Sequence, residues 1–267
     1  MSKWRPSEKN CYYVIPDVHG NITLLKKILK QILPLRRSDG GKDHLIMLGD
    51  YIDRNIYSMD VIDLLIKLKE AYPNQFHPIM GNHEQMFLKS FNRFPNKNLS
   101  YQDREISFRM WMHNGGYATM QGYALAHAGI EIDPLEYPRN RLEVMIPYSH
   151  WKFYSELPAF YCLDKYLFVH AGCDPYQDIE KQDPEALMWD RSLAKMFTQS
   201  SEFSWVQWEH TIVTGHNGSM GVINHSKFKM LDTEDLDQLL CLELNSNQAV
   251  MAIKGNKRLV KVDINKL

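Results

Sequence analysis

The side chains best suited to chemistry follow short apolar runs at five places along the chain. The first place is the segment YVIPDVHG, in which Asp17 and His19 stand two positions apart. Side chains at that spacing point the same way from extended backbone, so both can reach one point beyond a strand end and hold a cation there. The complete set of such residues is Asp17, His19, Asp50, Asp53, Asn82, His83, His170 and His216.

The chemical types in this set favour divalent cations. Carboxylate, amide and imidazole groups without a thiolate are typical of sites for manganese, iron, zinc or magnesium, and not of structural zinc sites. Each motif alone has an ordinary interpretation, since aspartate, histidine and glycine commonly end strands. Asn82, with Gln85 three positions later, could simply cap a helix. The recurrence of the pattern favours the metal site.

Alternating strands and helices must position these groups. Apolar residues at helical spacing predict a helix over residues 22–32, with Asn21 as its N-cap. Residues 45–48 have the pattern of a buried strand, and the next helix is expected to start at a Ser58 cap and to stop near Pro73.

The same plan recurs further along the chain. The segment FHPIMGNHEQMF predicts a short strand, a polar turn and a helix, and strands over residues 166–169 and in HTIVTGHNG end on His170 and His216. This alternation predicts a largely parallel α/β core, in which ligands bind beyond the carboxyl ends of the strands.

Composition narrows the function classes. The 267 residues are 44% hydrophobic with no linker-like stretch, which predicts one domain over residues 1–267. The 31 basic and 32 acidic residues create no field for nucleic acid or an acidic membrane, so neither partner is expected. The cysteines are scattered, and the sequence shows no signal peptide and no apolar run of about 20 residues. These features predict a soluble cytoplasmic protein. The oligomeric state is left open.

In order along the chain, the motifs resemble those of a known family. They are Asp17-Val-His19-Gly20, Gly49-Asp50-Tyr-Ile-Asp53-Arg54, Gly81-Asn82-His83-Glu84, His170-Ala-Gly172 and Gly215-His216. The chain is similar to calcineurin-like metallophosphoesterases, specifically the bacterial and phage serine/threonine phosphoprotein phosphatases. The resemblance implies an α/β fold with two central mixed β-sheets flanked by helices, a four-layer sandwich that forms a single catalytic domain.

The resemblance also implies two divalent ions, of which manganese is the first expectation and iron, zinc or magnesium are the others. It implies that one ion is held by Asp17, His19 and Asp50, and the other by Asp50, Asn82, His170 and His216. Asp50 is then the bridge, because the two oxygens of a carboxylate can each serve one cation.

The implied reaction is attack of a metal-activated hydroxide on phosphoserine or phosphothreonine in proteins. An alkoxide leaves poorly unless it is protonated, and the resemblance makes His83 the acid, oriented by Asp53. Arg54 and Arg191 would bind the phosphoryl oxygens. Arg191 has the weaker support, because the stretch LMWDRS could equally be a helix face. Small phosphoesters are further candidate substrates.

Two other functions are considered. A dinucleoside-polyphosphate hydrolase of the same superfamily usually lacks the aspartate that corresponds to Asp53 and has Asn-His-Asp at the Asn82-His83-Glu84 position. A catalytically inactive metal-binding interaction module normally lacks ligands that this chain retains. Both are therefore less favoured than the protein phosphatase.

Three local features carry further expectations. The HAG sequence occurs twice, and His170 is preferred over His127 as the ligand because it follows the stronger strand pattern. Asn55 replaces a usual glycine and is expected to take positive φ. The proline-containing segment 122–150 is expected to pass over the site and shape its entrance.

Overall fold

The chain forms strands and helices in the alternation that the sequence predicts, in a computed structural model that describes residues 10–36, 41–95, 97–199 and 208–267. The strands are β1 (Cys11–Ile15), β2 (Asp43–Met47), β3 (Phe76–Pro78), β4 (Phe160–Leu163), β5 (Tyr166–Val169), β6 (Thr211–Thr214), β7 (Ile223–Asn224), β8 (Phe228–Met230), β9 (Gln238–Glu243), β10 (Gln248–Ile253) and β11 (Val260–Val262). The α-helices are α1 (Ile22–Ile32), α2 (Ser58–Ala71), α3 (Asn82–Ser90), α4 (Tyr101–Trp111), α5 (Tyr117–Ala128), α6 (Arg139–Val144), α7 (Tyr148–Ser155) and α8 (Ser192–Gln199).

The strands build two mixed β-sheets. The first has the order β11-β10-β9-β1-β2-β3 and the second the order β4-β5-β6-β8-β7. Strands β1, β2 and β3 run parallel, as do β5, β6 and β8, while β9, β10 and β11 of the first sheet and β4 and β7 of the second pair antiparallel with their neighbours. The expected mixed sheets are confirmed, and the parallel arrangement is limited to the strands whose ends carry the candidate site.

Alternation of side chains along the strands creates the layers. Tyr12 and Val14 of β1 lie in the apolar core between the sheets, together with Phe168 and Val213 of the second sheet. Ile15 faces the other way and packs in the core that contains the apolar faces of α1 and α2. The outer face of the second sheet packs against α8 through residues such as Leu167, Leu193 and Phe197. The result is the expected four-layer helix–sheet–sheet–helix arrangement.

The buried strand β2 stabilises this arrangement most directly, because all five of its residues are buried. Leu45 and Met47 pack towards the helices, whereas Ile46 packs between the sheets. Each such side chain contributes about 1.5–3 kcal/mol through burial, and the strand positions Asp50 three residues beyond its end.

Helix α1 shows why the chain leaves β1 as it does. Its buried residues are Ile22, Leu24, Leu25, Ile28 and Leu29, which form one apolar face. Asn21 caps the helix, since its side-chain oxygen accepts the Leu24 N–H at 3.2 Å. The prediction of this helix and its cap is confirmed.

The start of α2 differs in detail from the expectation. Ser58 is its first residue, and Tyr57 is the N-cap without a side-chain hydrogen bond. The Ser58 hydroxyl turns back instead, donating to Asn55 O at 2.8 Å and accepting the Asp53 N–H at 3.1 Å. A hydroxyl expected to cap the helix therefore holds the loop that carries Asp53.

Within the described residues, no helix is both long and apolar enough to cross a membrane.

Candidate active site

The carboxyl ends of parallel strands from both sheets meet at one cavity of about 110 Å³. Asp17 and His19 follow β1, the segment 50–54 follows β2, and Asn82 and His83 follow β3. His170 and His216 follow β5 and β6 of the second sheet. The cavity is lined by Asp17, Asp50, Arg54, Asn82, His83, Asn114, Trp189, Arg191, His216, Gly218, Ser219, Asp232 and Glu234.

The buried Asp50 carboxylate lies at the centre of the candidate ligands. Its Oδ2 atom lies 3.9 Å from His19 Nε2 and 3.8 Å from His83 Nε2. Its Oδ1 atom lies 3.4 Å from His170 Nε2. Two groups therefore share Asp50, one with His19 and His83 and the other with His170 and His216.

The Asn82 side chain points into the same cluster. Its terminal amide atom lies 2.9 Å from His170 Nε2, 3.1 Å from His216 Nδ1 and 3.1–3.2 Å from the Asp50 carboxylate oxygens. Without a cation the NH₂ group facing these atoms forms the most hydrogen bonds, whereas a cation among them would bind the amide oxygen. Four convergent groups with lone pairs fit a divalent ion.

Hydrogen bonds at the opposite ring nitrogens orient two of the imidazoles. His170 Nδ1 donates to Leu48 O at 2.6 Å, and His19 Nδ1 donates to Ile52 O at 2.9 Å. When the ring is neutral, the other nitrogen, Nε2, has a lone pair that faces Asp50. This is the arrangement of metal-binding histidines, in which the second nitrogen is held by a carbonyl.

Asp17 links the two sheets at the cavity. Both of its carboxylate oxygens lie 3.1 Å from the backbone nitrogen of His216, which donates to them. The nearby Asp232 carboxylate accepts the backbone N–H groups of Gly218 and Glu234 at 2.9 and 3.0 Å. Asp232 was not predicted as a site residue, although the LDT segment that contains it follows a short strand, as the other site motifs do.

The charges of the cluster are poorly balanced by the protein alone. Burial and the neighbouring carboxylates Asp232 and Asp50 raise the pKa of Asp17 well above its usual range. Burial alone would lower the pKa of His170, but the carboxylates of Asp50 and Asp17 raise it to about 10. Burial and the charge of His170 lower the pKa of His216 to about 3. A proton on His170 thus occupies the electrostatic position that a cation would take.

Residues after three of the strands carry unusual backbone strain. His19 after β1, Asp50, Asp53 and Arg54 after β2, and His216 after β6 all have positive φ, which costs roughly 1–2 kcal/mol for each residue other than glycine. Such strain persists where surrounding contacts enforce it, and Asp50, Arg54 and His216 reach the cavity from this backbone. Asn55 does not have positive φ, so the expectation for that position is wrong: the left-handed residues are its predecessors Asp53 and Arg54.

Buried Glu84 supplies one of the enforcing contacts. Its carboxylate accepts the N–H groups of Asp50 at 2.9 Å, Tyr51 at 2.8 Å and Gly81 at 3.0 Å. Gly81 is the N-cap of α3, so Glu84 caps this helix and holds the Asp50 backbone at once. Asn82 is the first helical residue and not the cap, which leaves its amide free for the cavity.

His83 and Asp53 form a tight pair. His83 Nδ1 lies 2.6 Å from Asp53 Oδ2, and both side chains are buried. Asp53 also accepts Trp111 Nε1 at 2.9 Å and the Thr119 hydroxyl at 2.6 Å. Burial alone would lower the pKa of His83, but the charge of Asp50 and the hydrogen bond that His83 donates to Asp53 hold it above the ordinary value. The second ring nitrogen, Nε2, faces Asp50 and the cavity.

Both predicted arginines line the cavity, and of the two HAG histidines only His170 lies beside Asp50. Arg54 and Arg191 are exposed side chains that line the cavity, and Arg191 precedes α8. His127 lies at the exposed end of α5 and lines no part of the cavity, whereas His170 is buried beside Asp50.

The segment 122–150 does not line the cavity, contrary to the expectation that it shapes the entrance. The helices at its two ends, α5 and α7, pack against α2, and α7 also contacts α3. Arg139 stacks on Phe108 of α4 with the guanidinium 3.9 Å from the ring centroid. Part of the cavity wall comes from Asn114, Trp189, Ser219 and Glu234, which were not predicted as site residues.

A sequence model of the calcineurin-like phosphoesterase family matches residues 12–219. The chain belongs to this family. The match begins in β1 and extends beyond His216, so it covers the strand ends that carry all the predicted ligands, while Asp232 and Glu234 after β8 lie beyond it. The enzymes of the family are phosphoesterases that depend on divalent metals, in agreement with the candidate ligand groups around Asp50.

Curated relatives match over a shorter stretch. The chain is 38% identical over 71 residues to the serine/threonine-protein phosphatase PP2A-like PPG1 of Saccharomyces cerevisiae. It is 37% identical over 71 residues to the serine/threonine-protein phosphatase SIT4 of Candida albicans. Each match covers 27% of this chain and 18% or 22% of the relative. The chain thus matches only about a fifth of the length of these relatives.

Solved structures share the fold across several substrate classes. A protein provisionally assigned as a diadenosine tetraphosphatase superposes with a TM-score of 0.59 at 14% identity, covering 94% of this chain and 97% of the other. A Saccharomyces cerevisiae serine/threonine phosphatase similar to human phosphatase PP5 gives 0.51 at 16% identity, covering 96% and 80%. A mutant cold-active protein tyrosine phosphatase gives 0.50 at 17% identity, covering 97% and 83%. These likenesses establish the fold and leave the substrate undecided.

Proposed function

We propose that this chain is a metal-dependent phosphomonoesterase that removes phosphate from phosphoserine or phosphothreonine in proteins. The observation that carries the proposal is the buried His83–Asp53 pair, with 2.6 Å between His83 Nδ1 and Asp53 Oδ2, at a cavity lined by two arginines. A positioned acid matters most for a poor leaving group such as a serine alkoxide. The partial similarity to protein phosphatases supports the same substrate class.

The proposed metal ligands are those that converge on Asp50. We assign Asp17, His19 and Asp50 to one cation, and Asp50, Asn82, His170 and His216 to the other, with manganese as the first expectation. When bound, the two cations supply the Lewis acidity that makes a water molecule nucleophilic near neutral pH and that neutralises phosphoryl charge. His83 is the alternative to Asp17 for the first cation, because its Nε2 atom lies in the same group as His19 and Asp50.

The protein's own groups perform the remaining tasks. Asp53 holds the proton on His83 Nδ1, so that a proton on Nε2 can pass to the leaving oxygen as the phosphorus–oxygen bond breaks. Arg54 and Arg191 bind phosphoryl oxygens, and their planar guanidinium groups suit the tetrahedral edge of a phosphoryl group. Tyrosine phosphates and small-molecule phosphates fit the same residues less specifically. A phenolate leaves more easily than an alkoxide, so its departure depends less on the proton from His83.

The testing experiment measures metal-dependent phosphate release from a phosphoserine peptide and from diadenosine tetraphosphate in parallel. Wild type and Asp50→Asn are first stripped of metal, then supplied with manganese, and their metal content is determined. We expect the wild type to release phosphate from the peptide when manganese is supplied. We expect Asp50→Asn to show no turnover and to bind at least about one metal ion fewer than the wild type.

The other outcomes separate the alternatives. Turnover confined to diadenosine tetraphosphate would move the chain to the dinucleoside-polyphosphate hydrolases. Bound metal without turnover of either substrate would identify a metal-binding interaction module.

A further inference from the structure

Helices α4 and α5 are joined by a kink beside the loop that follows β2. The kink lies within Met112–Gly116, where Gly115 has the non-helical angles φ 110° and ψ 0°. The hydrogen-bonding and steric contacts of this kink show what it does here.

Gly115 is in direct contact with Arg54. The Gly115 carbonyl accepts the Arg54 N–H at 3.1 Å. A Cβ atom on Gly115 would lie 2.8 Å from both the backbone nitrogen and the Cγ atom of Arg54. Any other L-residue would therefore displace Arg54, in addition to being strained at this φ.

Arg54 needs such a contact. It follows Asp53 in a pair of consecutive left-handed residues, with φ values of 75° and 64°. Neither residue is a glycine, so the pair is unfavourable without outside support. The loop after β2 therefore does not fix the direction of the Arg54 side chain by itself.

The helices on either side of this kink hold Asp53 through two side chains, Trp111 of α4 and Thr119 of α5. Trp111 Nε1 donates to both Asp53 carboxylate oxygens at 2.9 Å, and the Thr119 hydroxyl donates to Oδ1 at 2.6 Å. A Cβ on Gly116 would meet the Trp111 ring at 2.6 Å and not Arg54. Adjacent glycines thus contact two different parts of the site.

We propose that Gly115 is a positioning residue that aims the phosphate-binding Arg54 through its carbonyl and its missing side chain. Gly116 acts separately, through Trp111, on the Asp53–His83 pair. The proposal rests on the proposed function, in which Arg54 binds phosphate. The kink between α4 and α5 therefore makes two separable contacts. Gly115 positions the group that binds phosphate, and Gly116 positions the pair that transfers the proton.

The experiment measures the dissociation constant of inorganic phosphate for the metal-loaded protein by calorimetry, alongside KM and kcat for the phosphoserine peptide. Gly115→Ala is expected to weaken phosphate binding about tenfold and to raise KM comparably, with metal content unchanged. Gly116→Ala is expected to lower kcat on the peptide with little change in phosphate binding.

The matched control is Gly129→Ala. Gly129 also has positive φ, 65°, but a Cβ there would meet no atom within 4 Å. It therefore tests backbone strain without contact to Arg54, and phosphate binding should stay at the wild-type value. Equal weakening in Gly115→Ala and Gly129→Ala would overturn the proposal.

A double-mutant cycle tests whether Gly115 acts through Arg54. Arg54→Ala should weaken phosphate binding, and adding Gly115→Ala should then have no further effect. If Arg54→Ala alone leaves phosphate binding intact, the role of Arg54 in the proposed function fails, and this inference fails with it. If Arg54→Ala weakens binding but Gly115→Ala does not, only the inference fails.

A second variant decides the case in which Gly115→Ala does not fold. A glycine at position 54 takes left-handed backbone without strain, has no Cγ atom to be displaced, and has the backbone freedom to move its nitrogen away from the Cβ added at position 115. Folding recovered in the Arg54→Gly/Gly115→Ala protein would support the contact. Folding still lost there would show that Gly115 is required for another reason and overturn the proposal.

Discussion

A buried carboxylate surrounded by lone pairs is unfavourable unless a positive charge lies among them. Asp50 is 2% exposed and faces the Asn82 amide and the Nε2 atoms of His19, His83 and His170. Burial alone would raise the pKa of Asp50, but the charges of His170 and His83 hold it well below the usual range. Protons on these imidazoles can balance Asp50, and the divalent cations proposed above would balance the whole cluster.

The role of His83 is predicted to depend on the leaving group. His83→Asn should lower kcat on a phosphoserine peptide by about 10²–10⁴-fold, because the alkoxide then leaves unprotonated. The loss on p-nitrophenyl phosphate should be much smaller, because that leaving group needs no proton. Steady-state kinetics on both substrates, with metal analysis of the same samples, make the comparison. Loss of a metal ion from His83→Asn would instead identify His83 as a ligand.

The candidate groups of the site lie at the ends of secondary-structure elements. The carboxyl ends of β1, β2 and β3 carry candidate groups from one sheet, and those of β5 and β6 from the other. The helices that follow the strands are fixed by side chains with second roles, since Asn21 caps α1 and also donates to Leu236 O at 2.7 Å. The cap of α1 is therefore also linked to the segment before β9.

Loss of this cap has a predicted cost. Asn21→Ala should lower the free energy of unfolding by about 1–2 kcal/mol, because the Leu24 N–H loses its acceptor and Leu236 O its donor. Asn21→Ser keeps a capping oxygen and should recover about half of that loss. Urea denaturation of the three proteins under identical metal conditions measures both values. Equal stability of Asn21→Ala and wild type would contradict the role of the cap.

At the scale of the whole molecule, the two sheets and the candidate cations stabilise one another. The cluster draws groups from both sheets, so its repulsion in the metal-free state acts across the central core. Cations that bind only the folded state stabilise it by mass action.

Removal of metal is therefore predicted to lower the thermal midpoint. A metal concentration 100- to 1,000-fold above the dissociation constant adds about 3–4 kcal/mol, which corresponds to roughly 5–15 °C for a chain of this size. Calorimetry of chelator-treated and manganese-loaded wild type measures the shift. The Asp50→Asn variant should respond much less to metal, and an equal response in both proteins would exclude Asp50 as a ligand.

Stability is also predicted to depend on pH through a histidine pair distant from the cavity. Burial and the neighbouring His44 lower the pKa of His77 from 6.5 to about 4, and the two rings lie 3.0 Å apart at His44 Nδ1 and His77 Nε2. An unfolded His77 takes up its proton near pH 6.5, whereas the folded one does so only near pH 4. The unfolded state thus binds more protons in this window, so stability falls as pH falls from about 6.5 to 4.

As the pH falls over that range, the free energy of unfolding of His77→Gln should decrease by about 2 kcal/mol less than that of wild type. The matched control is His127→Gln, because His127 is an exposed histidine at the end of α5. Its stability curve should run parallel to that of wild type. Denaturant titrations at several pH values provide the curves, and parallel curves for all three proteins would refute the role of His77.

The sequence by itself determined the strand–helix alternation, the cap at Asn21 and the groups that follow each strand. These are local properties, because hydrophobic period, turn residues and caps act within a few positions of one another. It also distinguished the two HAG motifs, since only the stretch before His170 has a continuous apolar strand pattern, and the structure places His170 beside Asp50.

Only the tertiary structure decided which distant side chains complete the cavity. Asn114, Trp189 and Asp232 line it, and Trp111 and Thr119 hold Asp53, and none of these five residues is predicted as a site residue from the sequence. The left-handed residues Asp53 and Arg54, in place of Asn55, and the packing of segment 122–150 away from the cavity also depend on contacts between remote elements. Such contacts depend on how two sheets and their helices pack together, and the sequence encodes that packing only through the whole core.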